Sequence, residues 1–308
     1  MDYFIDRAQH TLVWIVAMGL VFGLLALAVK RARAFNDLKN ARQEMATNLA
    51  LGLLNGLIMG PIFIVNATPF FQSIDFSNSL GMFWQGINGF VVFVLAFLLA
   101  EFIVYWRHRF EHSAWLWRFH ATHHADEHLH WLSVLRKHPV SGMISHVCDL
   151  LPLLFLGLSF EAIIASNLVR SIWGYFIHAD VPWTLGMAGK WLMSPAAHRL
   201  HHIRDEALMG TNYGNTITLW DRLFGTYRDP SPYLGCDTGI AEGTRNFAEE
   251  IFRPWEDVYR RSKNRAEDSE NVITVQSATR TKLSITRLVP LVSKSISSLL
   301  PSWARTSP

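Results

Sequence analysis

The residues of this sequence best suited to chemistry are its histidines, because eight of the fourteen fall into three short groups. The first group is residues 108–112, with the sequence HRFEH. The second is residues 120–124, HATHH, and the third is residues 198–202, HRLHH. Residues three and four apart lie on one face of an α-helix, so each group can direct its imidazoles toward one point. The adjacent His123 and His124 diverge enough to serve two metal ions.

Three such groups in one chain predict a metal centre. Imidazole suits iron, copper or zinc, whereas calcium and magnesium prefer oxygen ligands. A structural zinc site takes four ligands, so eight or more histidines match two metals with positions left open for O2 or water. Cys148 and Cys236 are the only cysteines, which disfavours an iron–sulfur cluster, a zinc ribbon and a disulfide framework. We therefore expect two metal ions, and iron held by imidazoles is a reasonable centre for activating O2. Four further histidines lack this spacing and are predicted to be structural or to support ligands, namely His128, His130, His138 and His146.

Three apolar stretches are long enough to cross a membrane. They cover residues 11–29, 47–71 and 86–106, and Glu101 is the only charged residue inside their interiors. Pro61 is expected to kink the second stretch. Half of all residues are hydrophobic, which agrees with an integral-membrane chain.

The charges of the loops predict how these spans are oriented. Residues 30–42 carry five Lys or Arg and one acid, whereas residues 72–85 carry only Asp75. Loops rich in Lys and Arg face the cytoplasm, so the first loop and the chain after the third span are predicted to lie there. The net charge of only +3 gives no indication of nucleic-acid binding.

The segment 150–177 is apolar, but Glu161 and Arg170 divide it into pieces too short to span comfortably. Two interpretations remain open. The segment is either a helical hairpin that enters the membrane and returns, or one tilted span with a buried Glu161–Arg170 pair. Histidine groups before and after it can share one site only if an even number of crossings separates them, which favours the hairpin.

The end of the chain divides into a linker and a tail. Residues 260–271 are rich in charge and are predicted to be solvated. Residues 283–303 alternate apolar residues with Arg287, Lys294 and serines. This stretch is predicted either to lie on the membrane as an amphipathic helix or to form an unstructured tail, and both interpretations remain open.

The histidine groups and their flanking residues resemble the fatty acid hydroxylase and sterol desaturase superfamily, which consists of integral-membrane di-iron enzymes. The resemblance runs from about residue 91 to residue 228. Its order, spacing and flanking aromatic residues make it specific. The motifs that carry it are HRFEH, WRFHATHH, VLRKHP, YFIHAD, SPAAHRLHH and NYGNTITLWDRLFGT.

The resemblance implies nine metal ligands, and one of them, His178, rests on it alone because its position is isolated. Some members of the superfamily have a further histidine four residues earlier, where this chain has Gly174. Water or another side chain is therefore expected in place of a tenth ligand. The implied ligands are His108, His112, His120, His123, His124, His178, His198, His201 and His202.

The implied fold is an all-α integral-membrane bundle of about four spanning or hairpin helices, with a cytoplasmic helical cap that holds the dimetal site. We divide the chain into N-terminal membrane helices (residues 1–90), a catalytic domain similar to fatty acid hydroxylases (91–228) and a cytoplasmic tail (229–308). Asp221 and Asp180 are the best side-chain acceptors for ligand imidazoles. The stretch around Asp221 is alternatively only a turn with a packed aromatic residue.

The implied function is O2-dependent, non-haem hydroxylation or desaturation of a membrane lipid, such as a sterol, a fatty acyl chain or an ether lipid. Two iron ions are the implied cofactor, with zinc as a substitute in purified protein. The sequence carries no flavin or nicotinamide fingerprint, so electrons are expected from an external reductase or small redox protein. Candidates to receive an acidic partner, or to hold the membrane, are Arg107, Arg118, Arg136 and Lys137. The alternative function is a membrane metal-binding or transport protein, which needs ionisable residues within its spans.

Overall fold

The computed structural model describes residues 2–73 and 79–256, and within these ranges it has helices, no strand and two isolated β-bridges. The all-α prediction is confirmed. The predictions for residues 260–271 and 283–303 lie outside the described residues. The chain divides into two units, and every contact below lies within the first, Met1–Pro254; the three-part division of the chain stays a prediction. The α-helices are α1 (Asp2–Lys30), α2 (Arg33–Asn40), α3 (Arg42–Leu54), α4 (Gly60–Ser73), α5 (Ser79–Gln85), α6 (Gly89–Glu111), α7 (Trp117–His124), α8 (Pro139–Phe155), α9 (Phe160–Ile177), α10 (Pro195–His201), α11 (Glu206–Met209) and α12 (Leu219–Leu223).

Three stretches are long and apolar enough to cross a membrane, namely Ile5–Lys30, Arg42–Asn66 and Gly89–Glu111. Each overlaps one of the predicted spans. The outward face of the first carries exposed apolar side chains, including Val13 and Leu24. A contiguous exposed apolar surface of this kind marks contact with lipid.

The second candidate span is not one regular helix, because a π-helical turn, Asn55–Met59, separates α3 from α4. Pro61 follows this turn closely. Proline has no N–H to donate and its ring crowds the carbonyl four residues earlier. A widened turn relieves that crowding. The irregularity predicted at Pro61 therefore takes the form of a π-helical turn.

The segment after the second histidine group forms two helices, α8 and α9, joined by a short turn. Gly157 adopts a φ of 72° in this turn, a conformation that glycine tolerates best. The Arg136 carbonyl, which lies before α8, contacts His123 Nδ1, and His178, which follows α9, lies 3.4 Å from His123 Nε2. The chain thus leaves the histidine groups along α8 and returns to them along α9, as the hairpin interpretation expects.

Charged residues within the helices form pairs across the bundle. Arg170 of α9 lies 3.2 Å from the Glu101 carboxylate of α6 and 3.6 Å from the Asp149 carboxylate of α8. Asp149 also accepts a hydrogen bond from Arg107 at 2.7 Å. Charged groups at membrane depth are costly unless they are paired, so these contacts stabilise the bundle. Arg170 therefore pairs with α6 and α8 and not with Glu161.

The apolar core of the membrane half forms where α6 packs against α8 and α9. Ala96 and Ala100 of α6 are buried against Leu153 of α8 and Ile163 of α9. The two alanines lie four residues apart on one face, and their small side chains let the neighbouring helices approach closely. This packing holds the first half of α6 against α8 and α9, and the other end of the same helix carries the first histidine group.

Arg136 is the centre of a buried polar network. Its side chain is 0% exposed and donates to the Thr122 carbonyl at 2.8 Å, to Asn48 Oδ1 at 2.9 Å and to Asp126 Oδ1 at 3.0 Å. Its other terminal nitrogen bonds to the Glu250 carboxylate. One guanidinium thereby joins α3, α7 and the chain near residue 250 around the histidine groups.

The predicted role of four basic residues in docking an acidic partner is wrong for two of them. Arg107 and Arg136 are buried in ion pairs. Lys137 is partly buried, and Arg118 is exposed. Sequence composition does not distinguish a surface arginine from one that neutralises buried carboxylates.

We expect the substitution Arg136→Met to destabilise the fold strongly, because it leaves the Asp126 carboxylate buried without a counter-charge and removes one of the two arginines that pair with Glu250. The loss in the free energy of unfolding should be about 3–5 kcal/mol. Heating purified protein and following the loss of the monodisperse species measures it. Arg118→Met, which removes an exposed arginine, is the matched control. Equal unfolding temperatures for the two variants would contradict the role of this network.

Candidate metal centre

Four helices position the predicted ligands. His108 lies in the last turn of α6, and His112 caps its C-terminus. α7 carries the whole second group, α10 carries most of the third, and His178 caps the C-terminus of α9. α10 begins after Ser194, whose side chain accepts a backbone N–H three residues on at 3.1 Å, with Pro195 at its first position. Local helix signals therefore fix where each group begins and ends.

The nine histidines converge into two groups, and within each group the candidate ligand nitrogens lie within 4.8 Å of one another. All are buried except His112, which is partly exposed. Ligands at about 2.1 Å from a metal lie about 4.2 Å apart when they face each other across it, so both groups have nearly the dimensions of a metal site. The first group is His108, His112, His120, His124 and His201. The second is His123, His178, His198 and His202.

Histidines adjacent in sequence separate into different groups. His123 and His124 point to different groups, and so do His201 and His202. The rings of His124 and His202 stack with centroids 4.3 Å apart, so the two groups adjoin each other. The structure thus brings together all nine predicted residues in an arrangement with the divergence expected for two metals.

Backbone carbonyls fix the orientation of four of these imidazoles. His108 Nδ1 lies 2.7 Å from the Tyr213 carbonyl, and His201 Nδ1 lies 2.7 Å from the Thr211 carbonyl. The Nδ1 atoms of His178 and His123 contact the carbonyls of Gly174 and Arg136 at 2.7 and 3.2 Å. A carbonyl only accepts, so each Nδ1 carries the proton and each Nε2 presents a lone pair.

Those lone pairs face each other. His201 Nε2 lies 2.9 Å from His108 Nε2, and His178 Nε2 lies 3.4 Å from His123 Nε2. Two neutral imidazoles in this arrangement have no proton to share, so their nitrogens repel. A cation between them converts the repulsion into ligation. These residues therefore fit a bound metal.

Burial keeps these imidazoles in the form that binds metal. It lowers the pKa of the eight imidazoles outside α6 below the ordinary value of 6.5, to about 3 for His178 and about 4 for His201. Both nitrogens of His124, and one each of His112 and His120, are buried with no hydrogen-bond partner among the described residues. Buried polar atoms are normally satisfied, so these atoms indicate a ligand.

Asp221, which lies in α12, holds the loop that follows α11 against the site. Its carboxylate accepts hydrogen bonds from the backbone N–H groups of Tyr213 at 2.7 Å and Gly214 at 2.8 Å. This fixes the Tyr213 carbonyl against His108. A Cβ at Gly214 would lie 2.8 Å from the same carboxylate, so glycine is required there. The loop therefore braces the first group.

The side-chain acceptors that we expected for the imidazoles are not used in that way. Asp180 pairs with Lys30 and Arg199, and Asp221 binds backbone N–H groups instead of a histidine. The prediction of direct contacts from these two carboxylates is wrong. Main-chain carbonyls take the role because loops packed around the site bring their own unpaired acceptors.

Two acidic residues of α6 contact the site region without having been predicted. Glu101 Oε2 accepts from the backbone N–H of Thr216 at 2.8 Å and from the next residue at 3.1 Å. Glu111 Oε1 accepts from the Ser141 hydroxyl at 2.7 Å, and its Oε2 lies 3.5 Å from His120 Nδ1. For Glu101 the signal in the sequence is a carboxylate inside an apolar stretch, which is rare unless it is paired.

Histidines outside the three groups have structural contacts. The Nδ1 atoms of His130 and His138 accept backbone N–H groups at 3.2 and 3.1 Å, at the starts of the 3₁₀ turn Trp131–Leu135 and of α8. The side chain of His128 is half-exposed, and its backbone N–H donates to Glu44. A Cβ at Gly174 would lie 3.6 Å from Asn215 Oδ1, so an amide occupies the neighbourhood where a tenth ligand was considered.

Comparisons with known proteins agree with this site. Residues 93–226 match the profile of the fatty acid hydroxylase family. The chain is 30% identical over 164 residues to ornithine lipid hydroxylase OlsE of Rhizobium tropici. The aligned stretch covers 53% of this chain and 50% of that protein. It is 30% identical over 193 residues to alkylglycerol monooxygenase of Homo sapiens, which covers 60% of this chain and 40% of that protein.

A sterol enzyme is also similar. The chain is 26% identical over 240 residues to Delta(7)-sterol 5(6)-desaturase ERG3A of Gibberella zeae, which covers 73% of this chain and 64% of that protein. The chain therefore spans about half the length of the curated relatives it matches. No solved structure gives a significant match. The stretch that matches the family contains all nine converging histidines, so the resemblance to the fatty acid hydroxylase and sterol desaturase superfamily is confirmed over residues 93–226.

Proposed function

We propose that this chain is a membrane-bound, O2-dependent di-iron oxygenase that hydroxylates or desaturates a lipid. The observation that carries the proposal is the convergence of nine imidazoles into two adjoining groups. Similarity to a lipid hydroxylase, an alkylglycerol monooxygenase and a sterol desaturase supports a lipid as the substrate class. In this proposal each group holds one metal ion, with five histidines at the first and four at the second.

Iron is the metal that best suits this ligand set and this task. The groups contain imidazole without thiolate, and that donor set accommodates iron, copper and zinc. Zinc does not change its oxidation state, and an oxygenase needs a metal that does. Bound iron would supply the activation of O2. Zinc remains a substitute in purified protein.

The residues of the chain orient the imidazoles, keep water out of the site and give the lipid access to it. Four backbone carbonyls hold imidazoles in one tautomer, so the ligand nitrogens are placed before metal arrives. Burial of the site keeps water away from a C–H bond under attack. The substrate enters from the bilayer between helices, because the groups lie at the ends of α6 and α9.

The overall reaction needs an electron donor. Hydroxylation places one oxygen atom of O2 in a C–H bond, and the other leaves as water with two electrons and two protons from the donor. Desaturation removes two hydrogen atoms from the lipid, and these together with two electrons and two protons from the donor side reduce both oxygen atoms of O2 to water. The basic loop between the first two spans supports a site on the cytoplasmic side in our proposal, where a soluble reductase or small redox protein has access.

The alternative of a metal transporter has less support. A transport path needs ionisable groups that face it within the spans. Glu101 and Arg107 are the charged residues within α6 before its last turn, and each is held by an ion pair. Their contacts explain them as structural residues of the bundle.

Elemental analysis of purified protein tests the metal assignment. We expect about two iron ions per chain and no Soret band. His201→Ala should lower the metal content and abolish product, because His201 joins the first group and opposes His108. His128→Ala, which removes a half-exposed histidine outside both groups, is the control. Full metal content in the His201 variant would contradict the ligand set.

Lipid mass spectrometry tests the reaction. Cells that express the chain should contain a lipid that has gained one oxygen atom or lost two hydrogen atoms relative to cells without it. The His123→Ala variant should lack this product, because His123 belongs to the second group and contacts His178. A product that persists in this variant would overturn the site assignment.

A third test addresses Asp221, which positions ligands without contacting metal. Asp221→Asn weakens two backbone hydrogen bonds that fix the Tyr213 carbonyl, so we expect iron to be lost to a chelator about tenfold faster. Asp229→Asn changes an exposed carboxylate and is the matched control. Identical rates of iron loss in the two variants would show that the loop does not hold His108 in place.

A further inference from the structure

A cavity of about 570 Å³ lies within the helix bundle, outside the two histidine groups. Its walls come from the first half of α1, from the π-helical turn between α3 and α4, and from the segments that begin α8 and end α9. Trp14, Ile15 and Leu135 form part of an apolar lining. Such a cavity, apolar with a few polar groups, has the character and the size of a ligand site.

The charged residues that line this cavity are cations. Arg7 and Lys137 line it, together with His10 and His146, and no aspartate or glutamate does so within the described part of the chain. Arg7 and His10 are exposed. A cavity whose charged side chains share one sign attracts a ligand of the opposite sign.

Lys137 is the least exposed cation that lines the cavity, and it forms no ion pair with the described residues. It is partly buried, and no carboxylate of the described residues lies within ion-pair distance of its Nζ. The two nearby acids, Glu111 and Asp149, are both engaged by Arg107. A desolvated ammonium without an anion is unfavourable, and burial lowers the pKa of Lys137 accordingly. An anion in the cavity would remove this cost.

Two residues that line the cavity, Lys137 and Tyr175, stand next to residues of the second histidine group or of its contacts along the chain. Lys137 directly follows Arg136, whose carbonyl contacts His123 Nδ1 at 3.2 Å. Tyr175, another lining residue, lies three positions before His178. A molecule anchored at Lys137 would therefore have its nearest atoms next to the second histidine group.

The backbone at Lys137 is held by the irregular part of the second span. Asn55, the first residue of the π-helical turn, donates from Nδ2 to the Lys137 carbonyl at 2.9 Å. Its Oδ1 has no hydrogen-bond partner among the described residues. Single π-helical turns occur often at functional sites, because they redirect side chains that a regular helix would place elsewhere.

We propose that this cavity binds the anionic polar group of the lipid substrate, a carboxylate or a phosphate, at the Lys137 ammonium, with the hydrocarbon part against the apolar walls. The inference rests on the proposed function for the statement that the bound lipid is the substrate. The substrate class is then the anionic lipids. The same binding mode also places the oxidised carbon near the polar group and not far along a hydrocarbon chain.

A displacement assay on the purified full chain in uncharged detergent tests binding without turnover. A dansyl-labelled fatty acid occupies the site, and phosphatidylglycerol, phosphatidylcholine or inorganic phosphate competes. We expect phosphatidylglycerol to compete at least about tenfold more strongly than phosphatidylcholine. The head group of phosphatidylglycerol has a net negative charge that can pair with the Lys137 ammonium, whereas that of phosphatidylcholine has no net charge. Equal competition by the two lipids overturns the proposal. Competition by inorganic phosphate as strong as that by phosphatidylglycerol overturns the assignment to a lipid.

Substitutions test whether Lys137 and the cavity cause the preference for anionic lipid. Lys137→Met should abolish the tenfold discrimination, Lys137→Arg should retain it, and Lys190→Met, which removes an exposed lysine, should behave as wild type. Ser171→Trp places bulk in the cavity and should weaken the binding of the labelled fatty acid itself. Unchanged discrimination in Lys137→Met, or unchanged binding in Ser171→Trp, overturns the location. If Lys137→Met does not fold, the wild-type preference and the Ser171 variant still decide.

Metal content and lipid oxidation measured on the same preparations separate this inference from the proposed function. A chain that holds iron and oxidises lipid but shows no anionic preference refutes the inference alone. A chain that prefers anionic lipid but oxidises none refutes the oxygenase proposal and leaves the binding site in place.

Discussion

The structure depends on a repulsion that only a cation relieves. Imidazole nitrogens of His201 and His108 face each other at 2.9 Å while their other nitrogens donate to carbonyls. Neutral rings would not hold this arrangement on their own. The fold maintains it because other contacts hold the helices that carry the rings. Apolar side chains pack α6 against α8 and α9, and Arg136 holds the chain that follows α7. The packing and the ion pairs of the scaffold thus preorganise a metal site.

Spacing along a helix made the ligands predictable. Histidines three and four apart must share a face whatever the tertiary structure, so the groups at 108–112, 120–124 and 198–202 could be read directly. His178 could not, because no local pattern accompanies it and only the resemblance indicated it. Its place in the second group results from the return of the chain along α9, which is a property of the whole fold.

The supporting contacts were less predictable, for a physical reason. We assigned Asp221 and Asp180 as imidazole acceptors because side chains are what a sequence displays, yet main-chain carbonyls fill that role. Arg136 was expected at the surface because arginine usually is. It is buried because the nearby Asp126 and Glu250, which lies 114 residues further along the chain, converge on it. Charge alone does not reveal a partner more than a hundred residues away.

The use of main-chain carbonyls as imidazole acceptors has an evolutionary consequence. Every residue type offers the same carbonyl oxygen, so a position such as Thr211 can change identity without loss of that contact, provided that the backbone keeps its path. Selection on ligand orientation then acts on loop shape and not on the residue that supplies the acceptor. Two descendants of one ancestor could share a metal geometry while the residues around it drift apart.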